Sequence, residues 1–139
     1  MTRNIRFYKK NTEQHLATDP KSSAWVSASA GTGKTKVLTD RILRLMLAGV
    51  APQKLLCLTF TRSAATEMLH RLNERLLFWN TANPNTLAGD LAELEQTPVT
   101  TSTMKQARCL LPLVWVAPNS MRIQTIHSSC ESVLRRFPL

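Results

Sequence analysis

The stretch ASAGTGKT, from Ala28 to Thr35, satisfies the phosphate-loop pattern except that alanine occupies the first glycine position. Glycines at positions 31 and 33 allow the backbone to wrap a phosphate closely, so that successive N–H groups face its negative charge. Lys34 can then reach the β- and γ-phosphates, and Thr35 offers a hydroxyl to Mg²⁺. The predicted nucleotide-binding residues in this loop are Ala28, Ser29, Ala30, Gly31, Thr32, Gly33, Lys34 and Thr35. The loop predicts a nucleoside triphosphate site but leaves a kinase, a GTPase and a helicase open.

Strand and helix patterns surround this loop. The apolar run AWVSA at 24–28 predicts a strand before it, and the Leu-, Ile- and Val-rich segment at 34–48 predicts a helix after it. LLCLTF at 55–60 predicts a second strand, and its lack of alternation indicates burial on both faces, as in a parallel sheet. RIQT at 122–125 predicts a third. The expected fold class is therefore α/β, a truncated P-loop NTPase sheet of parallel strands flanked by helices, with an exposed apolar edge.

Further helices are predicted downstream of the second strand. The segment 103–116 predicts one despite Pro112, which lies awkwardly inside it, and 126–137 predicts another with Ile126, Cys130, Val133, Leu134 and Phe137 on one face. Between about 80 and 102, a polar stretch predicts a loop or a short helical excursion. RSAATEMLHRLNERLLFW at 62–79 predicts an amphipathic helix whose apolar face comprises Ala65, Met68, Leu69, Leu72, Leu76 and Trp79.

Composition limits the class of protein. The chain has 139 residues, of which 43% are hydrophobic, and a formal net charge of +9, which favours one domain and a polyanionic partner such as nucleic acid. Residues 1–11 form a basic tail without an apolar run behind it, and no stretch approaches the length of a membrane span. Cys57, Cys109 and Cys130 have neither disulfide nor zinc spacing. We expect a cytoplasmic protein that does not associate with a membrane.

Three segments together resemble the N-terminal motor domain of UvrD/Rep-like superfamily one DNA helicases, and most of all the AddA group, the helicase–nuclease subunits of AddAB double-strand-break repair complexes. They are SAWVSASAGTGKTKVLTDRILRLMLAG, LLCLTFTRSAATEMLHRL and IQTIHSSCESVLRRFPL. The likeness runs from about Thr12 to Leu139, and the stretch between 80 and 120 contributes little to it. It implies a RecA-like sheet and makes 12–139 the N-terminal part of a UvrD-like ATP-binding domain.

The resemblance implies two further nucleotide contacts. Gln14 matches the glutamine of the family's Q motif, which reads the adenine edge with its donor and acceptor groups. Lys36 occupies a position where relatives often carry a basic residue that approaches the base or sugar. The alternative for Gln14 is an ordinary surface residue.

The resemblance also implies contacts with single-stranded DNA. Thr59, Phe60 and Thr61 match the family's TFT motif, in which an aromatic ring stacks on a base and hydroxyls bond phosphates, and Arg62 keeps a positive charge beside it. Thr125 and His127 match a T-x-H motif that faces the same strand. The alternatives are a core position for Phe60 and a structural role for His127.

Parts of such a motor are not found in this sequence. No acidic pair of the kind that holds Mg²⁺ and orients the attacking water follows an apolar strand, and the second motor domain and the nuclease region are absent. Lys34 and Thr35 would therefore be catalytic only if missing parts completed the site. We expect a fragment that binds ATP, Mg²⁺ and single-stranded DNA without unwinding. Its expected partners, besides DNA, are a separately encoded remainder of the helicase and an AddB-like subunit.

Two other functions remain open on the sequence alone. A stand-alone, non-enzymatic nucleotide- or DNA-binding module would use the same loop and motifs without belonging to a motor. A small P-loop kinase is less favoured because no lid-like arginine cluster or acceptor site is evident.

Overall fold

The computed structural model describes residues 12–27, 29, 31, 33–116 and 121–137. The predicted basic tail at 1–11 and the loop residues Ala28, Ala30 and Thr32 lie outside the described residues. The elements are α1 (Thr12–Ala17), α2 (Lys34–Leu47), a 3₁₀ turn (Pro52–Lys54), β1 (Leu56–Thr59), α3 (Arg62–Thr81), α4 (Pro84–Glu95), α5 (Thr101–Val116), β2 (Arg122–Thr125) and α6 (Ile126–Leu134).

The sheet consists of β1 and β2, which pair in parallel from Leu56 opposite Arg122 to Thr59 opposite Thr125. This confirms the α/β class and two of the three predicted strands. The expectation that the strand at 55–60 is buried on both faces is wrong, because Leu56 and Leu58 are 53% and 48% exposed on one face of β1. The strand predicted at 24–28 is wrong for the residues that the structure describes there, because 23–27 have no regular structure. Trp25 is 95% exposed and Val26 is 45% exposed. An apolar run becomes a strand only where a neighbouring strand pairs with it, and this run has no such neighbour in the described structure.

Helix α3 packs along the sheet and α5, and its apolar face forms much of the core. Met68, Leu72, Leu76 and Trp79 are buried, which confirms most of the predicted face. Leu69 is 41% exposed, so its assignment to that face is wrong. Position 69 lies at the edge of the buried face, about 20° around the helix from Leu76 but about 100° from Met68, so the core covers it only in part.

The polar stretch at about 80–102 contains a twelve-residue helix, α4, so its helical alternative is the one that the structure shows. Asn83 caps the helix by accepting a hydrogen bond from the Thr86 N–H at 2.9 Å, and Pro84 occupies the first helical position. Its leucines at 87, 91 and 94 are buried in the core. The segment thus contributes three leucines to the core, although most of its residues are polar or small.

Helix α5 forms as predicted and accommodates Pro112 within it. Proline has no N–H to donate to the carbonyl of Arg108, four residues earlier. That carbonyl accepts a hydrogen bond from Asn80 Nδ2 of α3 at 3.2 Å, while the Arg108 guanidinium donates to the Asn80 and Ala82 carbonyls at 3.0 and 2.7 Å. The Asn80 side chain of α3 replaces the hydrogen bond that the proline removes. These hydrogen bonds link α3 to α5.

Helix α6 forms where predicted but ends at Leu134, three residues before the predicted end at Phe137, and the apolar residues near its end are not covered by the described part of the chain. Val133, Leu134 and Phe137 are 51%, 70% and 74% exposed. No helix among the described residues has the length and apolar character needed to cross a membrane.

Candidate nucleotide and DNA site

The phosphate loop has the backbone conformation that its glycines predict. Gly31 and Gly33 have φ angles of 80° and 84°, in the left-handed region that side chains rarely adopt. An added Cβ would meet no atom within 4 Å at either position, so the requirement for glycine comes from the backbone angle rather than from crowding. The loop therefore turns directly into α2.

Helix α2 begins after a glycine, which has no side chain that could cap it. Gly33 is its N-cap residue and contributes no side-chain hydrogen bond, and the first turn contains no acidic residue. The first N–H groups of a helix carry a partial positive charge and need acceptors, which an anion supplies well. Lys34 adds a full positive charge there, with its Nζ donating to the Ser29 carbonyl across the loop at 2.5 Å. The arrangement suits a polyphosphate.

Thr35, the predicted Mg²⁺ contact, follows in the first turn and is half-buried. Its hydroxyl has no hydrogen-bond partner among the described residues, while its carbonyl accepts from the Thr39 hydroxyl at 2.9 Å. A hydroxyl at this position beside a bound polyphosphate fits a hard cation with oxygen ligands. Lys34 and Thr35 are thus the first two residues of α2.

Gln14 and Lys36 line the same small cavity between α1 and α2, together with Asp40. The Gln14 side chain is half-buried and has no hydrogen-bond partner in the part of the chain that the structure describes. Lys36 Nζ donates to the buried carboxylate of Asp40 at 3.0 Å. The structure therefore brings these two predicted base-proximal residues together, one turn from the phosphate loop.

The predicted DNA-contacting motifs meet at the carboxyl edge of the sheet, because Thr59 and Thr125 end the two paired strands. The Thr61 hydroxyl accepts from the Ala64 N–H at 3.1 Å and caps α3. The Thr125 hydroxyl accepts from the Ser128 N–H at 3.2 Å and caps α6, and Thr125 is only 7% exposed. Thr61 and Thr125 thus have structural roles, which place two helix N-termini at one edge.

The side chains around these caps are open to solvent. Phe60 is 85% exposed, so the alternative that places it in the core is wrong. Arg62 and His127 are exposed, and the His127 ring makes no hydrogen bond within the described residues. A flat aromatic ring, a cation and two helix N-termini on one edge can contact bases and phosphates.

Comparison with known proteins decides the family. Residues 9–138 match the model of the UvrD/REP helicase N-terminal domain. The chain belongs to this family. The resemblance found in the three sequence segments is therefore confirmed, and the phosphate loop, the two strands and the motifs at their ends are parts of a UvrD/REP helicase N-terminal domain.

Relatives of this UvrD/REP-type chain include ATP-dependent helicase/nuclease subunits of the AddA type from three bacteria. That of Latilactobacillus sakei subsp. sakei (strain 23K) is 34% identical over 112 residues, which cover 81% of this chain and 10% of the relative. That of Lactiplantibacillus plantarum is 35% identical over 130 residues, covering 91% and 9%. That of Lactobacillus gasseri is 37% identical over 112 residues, covering 81% and 8%. The chain thus spans about a tenth of the length of these relatives.

Proposed function

We propose that this chain is the Mg-ATP- and single-stranded-DNA-binding part of an AddA-type, ATP-dependent DNA helicase that acts in double-strand-break repair. The observation that carries the proposal is the amino end of α2, which follows two glycines in left-handed conformation and begins with Lys34. Backbone N–H groups and the ammonium would hold the phosphates, and Gln14 and Lys36 would face the base and sugar. Thr35 would contribute its hydroxyl to Mg²⁺, which would neutralise charge on the β- and γ-phosphates.

The proposed DNA surface is the carboxyl edge of the sheet. Phe60 would stack on a base, since every base presents a π-face, and Arg62 and His127 would approach phosphates. Thr59, Thr61 and Thr125 would act mainly by fixing the backbone and the two helix ends at this edge. The net charge of +9 supports attraction to a polyanion but gives no sequence preference.

We propose that binding and hydrolysis are separable in this chain. Asp90 is engaged with Trp79 and Arg75, and Glu95 lies 3.6 Å from Arg44, so neither acidic group faces the phosphate loop. Lys34 and Thr35 would become catalytic when further motor elements supply a carboxylate and a cation across the nucleotide. A cytoplasmic location, a separately encoded remainder and an AddB-like subunit belong to the same proposal.

The test is calorimetric titration of the chain with Mg-ATP, in parallel for Lys34→Ala and Lys54→Ala. Lys54 is an exposed lysine of the 3₁₀ turn and serves as the matched control. We expect Lys34→Ala to weaken binding at least about tenfold and Lys54→Ala to leave it unchanged. Equal affinity in all three proteins would contradict the phosphate site. DNA-stimulated ATP turnover that Lys34→Ala abolishes would contradict the separation of binding from hydrolysis.

A further inference from the structure

Gln14 lies on α1, a helix that needs contacts with the rest of the chain in order to be stable. Helix α1 has only six residues, and an isolated helix of that length is not stable in water. The structure shows what holds it: two arginines of α2, Arg41 and Arg44, reach back across the chain to α1 and to the turn that follows it.

Arg41 binds three backbone carbonyls in this region. Its Nη1 donates to the Ala17 and Asp19 carbonyls at 2.8 and 3.0 Å, and its Nη2 donates to the Ser22 carbonyl at 2.6 Å. The same turn is closed locally by the Lys21 N–H, which donates to Asp19 Oδ1 at 3.0 Å and holds the pKa of that carboxyl below its usual value. A planar guanidinium with several fixed donors suits this task better than a lysine.

Arg44 makes the second connection and is buried. Its Nη1 donates to the Thr18 hydroxyl at 2.7 Å and to the His15 carbonyl at 3.3 Å. Its Nε lies 3.6 Å from Glu95 Oε1 of α4, which places a negative charge beside the buried guanidinium. The Arg44 guanidinium thus lies between Glu95 of α4 and His15, the residue next to Gln14. If α1 moved away, this buried charge would lose its hydrogen-bond acceptors.

Both arginines belong to the helix that starts at Lys34. They lie seven and ten residues beyond it, about 10 Å and about 15 Å along a rigid helix. One helix therefore holds the phosphate loop at its amino end and the base-proximal segment by its side, so that the spacing between the two is fixed.

From these contacts we infer that Arg41 and Arg44 are positioning residues that set base selectivity by fixing Gln14 relative to the phosphate loop. The inference rests on the proposed nucleotide site. Neither arginine touches the nucleotide. Loss of either one lets α1 move, which weakens the contact with adenine and leaves the contacts with the phosphates intact.

The experiment measures dissociation constants of the full chain for Mg-ATP, Mg-GTP and Mg-tripolyphosphate. We expect Gln14→Ala, Arg41→Ala and Arg44→Met each to reduce the preference for ATP over GTP by about tenfold, the value of one or two lost hydrogen bonds. Affinity for tripolyphosphate stays unchanged. Combining Gln14→Ala with Arg41→Ala produces no further loss of preference, because both act on one contact.

Arg108→Ala is the matched control, since Arg108 also donates to two backbone carbonyls but fastens α5 to the end of α3. It should change thermal stability without changing base preference. If Arg41→Ala does not fold, Arg41→Lys replaces it, because a single ammonium cannot span the three carbonyls, and an intermediate preference is expected.

The outcomes separate the two proposals. A wild-type chain that binds neither ATP nor tripolyphosphate overturns the proposed function itself. A wild-type chain that prefers ATP, with the preference intact in the arginine variants, overturns only the positioning role, as does an equal loss of affinity for all three ligands. A wild-type chain that binds ATP and GTP equally would show that Gln14 does not select adenine, and this result would overturn the inference.

Discussion

Thr59 and Thr125 are register partners at the carboxyl ends of two parallel strands, and a helix capped by a threonine hydroxyl follows each strand. This relationship brings two motifs that are far apart in the sequence to one edge of the sheet. Residues after the strand ends, rather than the two threonines themselves, present their side chains to solvent there.

Phe60→Ala should weaken binding of a single-stranded oligonucleotide by about 5- to 150-fold, because stacking of one base on an aromatic ring contributes about 1–3 kcal/mol. Since Phe60 is 85% exposed, the melting temperature should not change. Phe137→Ala is the control, as Phe137 is 74% exposed and lies three residues beyond the end of α6. Fluorescence anisotropy at one fixed, low salt concentration measures both variants. Equal losses in the two variants would refute a specific role for Phe60.

Gly33→Ala and Gly89→Ala should have opposite effects on stability. Gly33 has a φ of 84°, and forcing an alanine into that region costs about 1–2 kcal/mol. Gly89 lies inside α4 with open space around its Cα, so alanine should stabilise the chain by up to about 1 kcal/mol. Urea unfolding monitored by circular dichroism gives both values. Stabilisation by Gly33→Ala would show that the loop does not hold the left-handed conformation.

Local patterns predicted the parts of the fold whose cause is local. The phosphate loop, the strands at 55–60 and 122–125 and the amphipathic helix of Trp79 follow from residue type and spacing over a few turns. The strand at 24–28 did not form in its described part, because pairing depends on a neighbour elsewhere in the chain. Periodicity at Leu87, Leu91 and Leu94 contained the signal for α4, but the surrounding polar composition concealed it.

The candidate site divides in the same way. Glycine conformations and the position of Lys34 could be predicted from the loop itself. The contacts of Arg41 and Arg44 join residues at least 19 positions apart, so no spacing rule shows them. A signal did exist, since the long charged side chain at position 44 lies seven residues after buried Val37 and so falls on the same face of α2. Such a charge requires a partner, although the sequence does not identify it.

Asp90→Ala should destabilise the chain by about 2–3 kcal/mol, because removal of the carboxylate leaves a buried indole N–H without an acceptor. Asp90 Oδ2 accepts hydrogen bonds from Trp79 Nε1 at 2.6 Å and Arg75 Nε at 2.8 Å, and Trp79 is fully buried. Asp90→Asn keeps an acceptor and should recover part of the loss. Thermal or urea unfolding provides the measurement.

Glu67→Ala is the comparison for that variant. Glu67 pairs with Arg71 at 2.6 Å, but both side chains are about half exposed, so the loss should stay below about 0.5 kcal/mol. A similar cost for the two substitutions would show that the Trp79 contact contributes nothing beyond a surface ion pair.

The three cysteines should react with a thiol reagent at different rates in the folded chain. Cys57 lies on β1 and is half-buried, and burial raises the pKa of its thiol, whereas Cys109 and Cys130 are exposed. Because the thiolate is the reactive form, a raised pKa lowers its concentration at mildly alkaline pH, and the reaction of Cys57 should become faster only at a higher pH than that of an ordinary thiol.

We expect two fast phases and one slow phase with an aromatic disulfide reagent, and Cys57→Ser should remove the slow phase alone. In denaturant all three thiols should react quickly, since the packing of Cys57 against the hydrophobic core is then lost. Removal of a fast phase by Cys57→Ser would mean that the face of β1 that carries Cys57 is open to solvent.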